Sequence, residues 1–144
     1  MSDIDLTGDI TTAIDGAAER GSTLVLGYVD PDGTAALSFR GSTQVLSKDQ
    51  LALWSRKKDG VFIASIAERP VVSLLYYSPD TPGAAYLSIK GRARVAPEAD
   101  DAVYAGMIEG ERGQDPDREG VAIVIDVDSI FGAGPGGAIA QQRA

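Results

Sequence analysis

Neither cysteine nor histidine occurs anywhere in the 144-residue chain. The first absence excludes disulfides, thiolate nucleophiles, iron–sulfur clusters and cysteine-ligated zinc. The second excludes Ser-His-Asp and Cys-His arrangements and removes the commonest transition-metal ligand. Long apolar runs are missing too: no stretch reaches the roughly 18 residues that a membrane-spanning helix needs. The opening Met1-Ser2-Asp3-Ile4-Asp5 is acidic rather than basic and then apolar, unlike a secretory signal, so a cytoplasmic protein is expected. Chemistry here falls to carboxylates, hydroxyls, backbone amides or a bound cofactor.

Basic residues are the minority, 13 against 21 acidic, and the formal charge of −8 argues against a general nucleic-acid binder. The excess is local. Residues 97–120 hold eight acidic and two basic side chains, whereas residues 1–96 hold eleven and ten. A nearly neutral body carries one acidic segment.

The apolar spacing of Ile10, Ile14, Ala17 and Ala18 predicts a helix, capped by Thr7 or Asp9 and stopped by Gly21. From Ser22 the period becomes 2. Residues 23–29 read as a strand, Asp30-Pro31-Asp32-Gly33 as a turn, and residues 34–40 as the returning arm. Residues 41–46 extend that arm past a bend at Gly41, and a turn at 47–50 leads into a strand over 51–55. A short helix bearing Val61, Ile63, Ile66 and Ala67 ends at Pro70. Residues 71–77 are apolar on both alternating faces, as in a strand covered on both sides. Tyr76 and Tyr77 then point oppositely, one into the core and the other towards a subunit interface. A loop over 78–83 precedes a strand over 84–95. That strand has Tyr86, Ser88, Lys90, Arg92 and Arg94 on one face and Leu87, Ile89, Gly91, Ala93 and Val95 on the other. Pro97 opens an acidic helix with Val103, Met107 and Ile108 as its apolar stripe. A charged loop over 113–120 leads to a final strand bearing Val121, Ile123, Ile125 and Val127. Six strands and few helices predict a mostly β protein, a small six-stranded antiparallel barrel with flanking helices. Residues 1–131 form one domain in this reading, and residues 132–144 a flexible glycine-rich tail.

Two basic features stand out. Trp54-Ser55-Arg56-Lys57-Lys58 ends a strand just before a helix, whose N-terminal amides and dipole favour an anion. Ser55 adds a hydroxyl donor and Trp54 a planar surface; the plain alternative is a solvated basic turn. Lys90, Arg92 and Arg94 form a row with a spacing of about 6.8 Å, suited either to an anionic ligand or to pairing with carboxylates. Asp100 with Asp101, and Asp126 with Asp128, read as solvated carboxylates, and nothing calls for general acid–base catalysis.

The order of these pieces resembles the pyridoxamine 5′-phosphate oxidase-like family, the FMN-binding split barrels, whose superfamily includes enzymes using the deazaflavin coenzyme F-420. The resemblance spans about residues 22–95. Arg69-Pro70-Val71-Val72-Ser73-Leu74 and Lys90-Gly91-Arg92-Ala93-Arg94-Val95 are its most characteristic segments. It implies a homodimeric oxidoreductase with FMN, or alternatively F-420, at the subunit interface, moving hydride to or from a small organic substrate. It puts the cofactor phosphate at Ser55, Arg56, Lys57 and Lys58, the ring against Ser38, Phe39, Arg40 and Trp54, and Lys90 and Arg92 of the other subunit over the site. Many relatives carry a Ser/Arg/Lys cluster where this chain has Gly60, Val61 and Phe62; its own basic residues come slightly earlier. The chain ends at Ala144 without the C-terminal extension of true pyridoxamine phosphate oxidases, so that particular activity is not expected. Hydride chemistry borne by a cofactor suits a chain without His or Cys. The alternatives are a flavin-binding or storage module without turnover and a split barrel working through protein contacts. Haem is disfavoured by the lack of His and Cys ligands.

Overall fold

The computed structural model describes residues 1–79 and 83–144. The loop expected over 78–83 therefore lies partly outside the described residues. Helix α1 (Asp9–Asp15) starts after Gly8, whose φ of 75° suits glycine, so neither Thr7 nor Asp9 caps it, and it stops well ahead of Gly21. Strands β1 (Val25–Val29) and β2 (Ala35–Phe39) form the expected hairpin. Asp30 Oδ1 accepts the N–H groups of Asp32 and Thr34 at 3.0 Å each, and Gly33 takes a φ of 84°.

Residues beyond Gly41 do not prolong β2. They form β3 (Gln44–Ser47), which pairs with β4 (Gln50–Ser55). The break has a local cause: Thr43 N–H donates to the Arg40 carbonyl, and Ser42 Oγ accepts the Trp54 N–H at 2.8 Å. The bend thus leaves the first hairpin and docks on β4. Helix α2 (Val61–Glu68) follows, burying Phe62, Ser65 and Ile66 while Val61 lies exposed. Next come β5 (Val71–Tyr77) and β6 (Tyr86–Val95), then a single turn of 3-10 helix and helix α3 (Asp100–Gly106). The one-turn helix α4 (Glu109–Arg112) precedes β7 (Val121–Gly134) and β8 (Gly137–Gln142). Residues 132–144, expected as a tail, supply the end of β7 and the whole of β8, which pair antiparallel.

All pairings of named strands are antiparallel, in the order β2-β1-β5-β6-β7-β4-β3, with β8 added along β7. There are eight strands among the described residues rather than six. The sheet's two edge strands are consecutive in the chain, so the Arg40–Thr43 bend joins its ends. Leu26, Leu53, Leu74, Leu87, Ile89 and Ile123 fill the interior. A second core of Ala52, Trp54, Val103, Met107 and Ala122 lies on the other face of β4 and β7, where α3 packs. β4 and the first half of β7 are thus covered on both faces. β5 is not: Val72, Leu74 and Tyr76 are buried while Val71, Ser73, Leu75 and Tyr77 are exposed, because no element covers its outer side. No helix among the described residues is long and apolar enough to cross a membrane.

Gly91 sits at a register shift between β6 and β7, and a Cβ there would lie 2.5 Å from the Asp126 carbonyl oxygen. Gly91→Ala is therefore expected to cost about 1–3 kcal/mol of stability, read from urea unfolding.

Candidate functional site

The end of β4, the start of α2, the Arg40 bend and the 113–120 loop enclose a cleft of about 570 Å³. Each wall follows from local chain behaviour. β4 runs out at Ser55, which keeps its backbone in the sheet opposite Val121 while Arg56 and Lys57 emerge into solvent. Gly60 then turns the chain into α2, whose first turn has no side-chain cap. Ser55 is buried, and its hydroxyl makes only a long contact of 3.5 Å to the Lys57 carbonyl.

Arg40 is held rigidly. Its Nε donates to Ser38 Oγ at 3.0 Å, and its guanidinium lies over the Phe62 ring, 4.2 Å from the centroid. Phe62 is in turn fixed edge-on by Tyr28, with centroids 5.2 Å apart. Burial pushes the Arg40 guanidinium below its ordinary pKa and nearby Arg56 adds to that push, partly offset by Tyr28. An arginine remains charged under such a shift. Apart from Arg40 and Arg56, the arginines donate to carboxylates, carbonyls or, for Arg20, also a tyrosine hydroxyl. Among the described residues the Arg40 guanidinium hydrogen-bonds only to Ser38, and the Arg56 guanidinium has no hydrogen-bond or ion-pair partner. Both face this cleft.

The opposite wall is organised by Asp115. Its Oδ2 accepts Trp54 Nε1–H and the Gly120 N–H at 2.8 Å each, and its Oδ1 accepts the Glu119 N–H at 2.9 Å. Burial raises the Asp115 carboxyl, but these three donors together with Arg56 outweigh it and hold the group below the usual aspartate value. Tyr104 stacks edge-on against Trp54 and donates its hydroxyl to the Asp115 carbonyl. Arg118, at a φ of 52°, lies over the Tyr104 ring and pairs with Asp101.

The sequence-predicted residues divide accordingly. Arg40, Ser55, Arg56 and Lys57 line the cleft, with Ser38 behind Arg40. Trp54 is buried in the second core, its indole engaged by Asp115 and Tyr104. Phe39 is on the outward sheet face, 75% exposed, and lines a shallow apolar depression with Leu75 and Tyr77. Lys58 is exposed and does not line the cleft. Lys90 and Arg92 are also elsewhere, on the outward face of β6. Arg92 is bound through two nitrogens to Asp128, Arg94 is paired with Glu98, and Lys90 makes no ion pair among the described residues. Sequence reading missed Phe62, Gln114, Asp115 and Glu119. Asp115 is one of eight acidic residues in its segment, and nothing in residue type separates it from the others.

No family model and no curated protein match the chain. Solved structures do. General stress protein 26 from Bacillus anthracis superposes with a TM-score of 0.61 at 22% identity, covering 85% of this chain and 89% of that one. An F-420 reductase gives 0.59 at 22%, covering 81% and 94%. A Clostridium acetobutylicum protein of the pyridoxinephosphate oxidase family gives 0.61 at 11%, covering 88% and 90%. The fold is the split barrel. At these identities the likeness establishes architecture, and the fold implied by residues 22–95 is the one observed.

Within the split barrel, Asp115 is the tie between the loop and the sheet. Its folded pKa is lowered, so its stabilisation is complete above the usual value of 3.8 and is lost as pH falls through the lower folded value. Trp54 is the sole tryptophan, so its emission reports this contact. Emission is expected to stay constant from neutral pH down to about 3.8 and to shift below it. Asp115→Ala leaves Nε1 unpaired and is expected to shift emission already at pH 7, with a loss of about 1–3 kcal/mol in unfolding free energy.

Proposed function

We propose that the chain is a homodimeric oxidoreductase of the pyridoxamine 5′-phosphate oxidase-like family. It binds FMN, or alternatively F-420, in the Arg40–Arg56 cleft and acts on a small organic substrate. The observation that carries this reading is the pair of arginines that form no ion pair among the described residues and face one cleft beside the buried Ser55 hydroxyl. Two guanidiniums in proximity are unfavourable unless an anion joins them, and planar forks suit phosphate oxygens. The uncapped first turn of α2 contributes amide donors on the same side. The donor set therefore fits a phosphate group.

When bound, the flavin supplies the hydride chemistry. The protein's own residues bind and orient. Arg56, Lys57 and Ser55 take the phosphate, Arg40 presents a guanidinium braced by Phe62 and Ser38, and the 113–120 loop shields the far side. Trp54 serves by holding that loop, since its ring faces are covered. The outward face of β2, β1 and β5 supports dimerisation. Leu37, Phe39, Leu75 and Tyr77 are 77%, 75%, 53% and 66% exposed, a contiguous apolar area on adjacent strands. Lys90 lies in the same outward row as Ser73 and Ser129, so in a dimer over this face it is free to reach the other subunit's site.

Purified protein is expected to bind FMN at micromolar or lower concentration, and Arg40→Ala with Arg56→Ala to weaken that binding at least about tenfold, as expected for lost charge-assisted hydrogen bonds. Binding without turnover of any reductant would point instead to a storage module. Sedimentation is expected to give twice 15.0 kDa. Leu75→Glu on the exposed face is expected to give the monomer, and an unchanged mass would remove that face from the interface.

A further inference from the structure

The cleft's cations do not stand alone. The acidic segment supplies Asp115 and Glu119 to its lining, opposite Arg40, Arg56 and Lys57. Three positive and two negative groups leave the lining with a net charge of +1. A third carboxylate, Glu111, lies against Gly41 and lines a separate small pocket that Arg56 also borders. Glu119 is exposed at the cleft rim and, unlike Asp115, makes no side-chain hydrogen bond among the described residues. Its carboxylate is free to act on whatever enters.

We propose that this cleft is charge-matched to a single terminal phosphate, the exposed Glu119 carboxylate turning away ligands whose phosphate continues into further negative charge. The proposal rests on the reading of the cleft as a flavin-type site and selects between the two cofactor classes. A phosphate monoester brings about −1.5 to −2 charges at neutral pH, which the two arginines and Lys57 can neutralise within the site. FMN ends in such a group. The phosphate of F-420 is a diester that continues into a tail of glutamate carboxylates, and Glu119 is the exposed carboxylate at the rim that such a tail would have to pass. A like-charge approach at a solvated rim is worth about a two- to fivefold change in affinity. Riboflavin, with no phosphate, leaves the arginine pair unsatisfied and binds more weakly than FMN.

The test is calorimetric titration of the full-length protein with FMN, riboflavin and F-420, at low and high salt, beside Glu119→Gln. FMN is expected to bind about two- to fivefold more tightly than F-420, with the gap narrowing as salt screens the rim. Glu119→Gln is expected to raise F-420 affinity about two- to fivefold more than it raises FMN affinity. F-420 binding as tightly as FMN or more tightly overturns the proposal while leaving the oxidoreductase reading intact. A preference for FMN that responds neither to salt nor to Glu119→Gln assigns the choice to the ring and also overturns it. Binding of no flavin at all overturns the reading of the cleft, and this proposal with it.

Discussion

Two guanidiniums held near one another in a half-buried cleft repel, and much of the surrounding structure serves to keep them there. Arg40 is the more constrained. Its bend is fixed by the Thr43 to Arg40 hydrogen bond and by the Arg40 N–H donating to the Leu24 carbonyl, while Phe62 and Ser38 set the side chain. Arg56 follows directly from a strand covered on both faces, so its backbone origin is rigid although its side chain is exposed. Preorganisation of this kind reduces the ordering that a bound anion must impose.

The barrel makes that arrangement possible by joining its own edges. β2 and β3 end the sheet on opposite sides, and the four-residue bend between them carries Arg40 at its start and Ser42 docked on Trp54. The same tryptophan is held from the other direction by Asp115, which fixes the loop forming the far wall. Trp54 thus links the bend, the strand and the loop. Asp115 therefore sets the position of the indole as well as lining the cleft.

Much of this was readable in advance, for identifiable reasons. The β1–β2 turn and the alternation of β6 are local properties, set by Asp30, Gly33 and a period of 2, and the structure follows them. The basic run at Arg56 and Lys57 was legible because charge in consecutive positions is visible in any sequence. The Gly41 bend looks in sequence like a continuation, since whether a strand turns to a new partner depends on a distant acceptor, here β4. β5 looks doubly covered because its composition is apolar on both faces; composition does not distinguish a covering layer from an exposed apolar surface. Trp54 was placed against a ring by its position, whereas Asp115, 61 residues away, determines where the indole goes. Asp115 itself carried no signal, because its importance lies in three donors brought to it by folding.

The central claim is that the Arg40–Arg56 cleft holds a phosphate. A crystal structure of the protein grown with FMN tests it most directly. The account predicts the phosphate oxygens within hydrogen-bond distance of both guanidiniums and of Ser55 Oγ, with Asp115 still bound to Trp54. A flavin phosphate seated away from Arg40 and Arg56, with the cleft filled only by solvent, would contradict it.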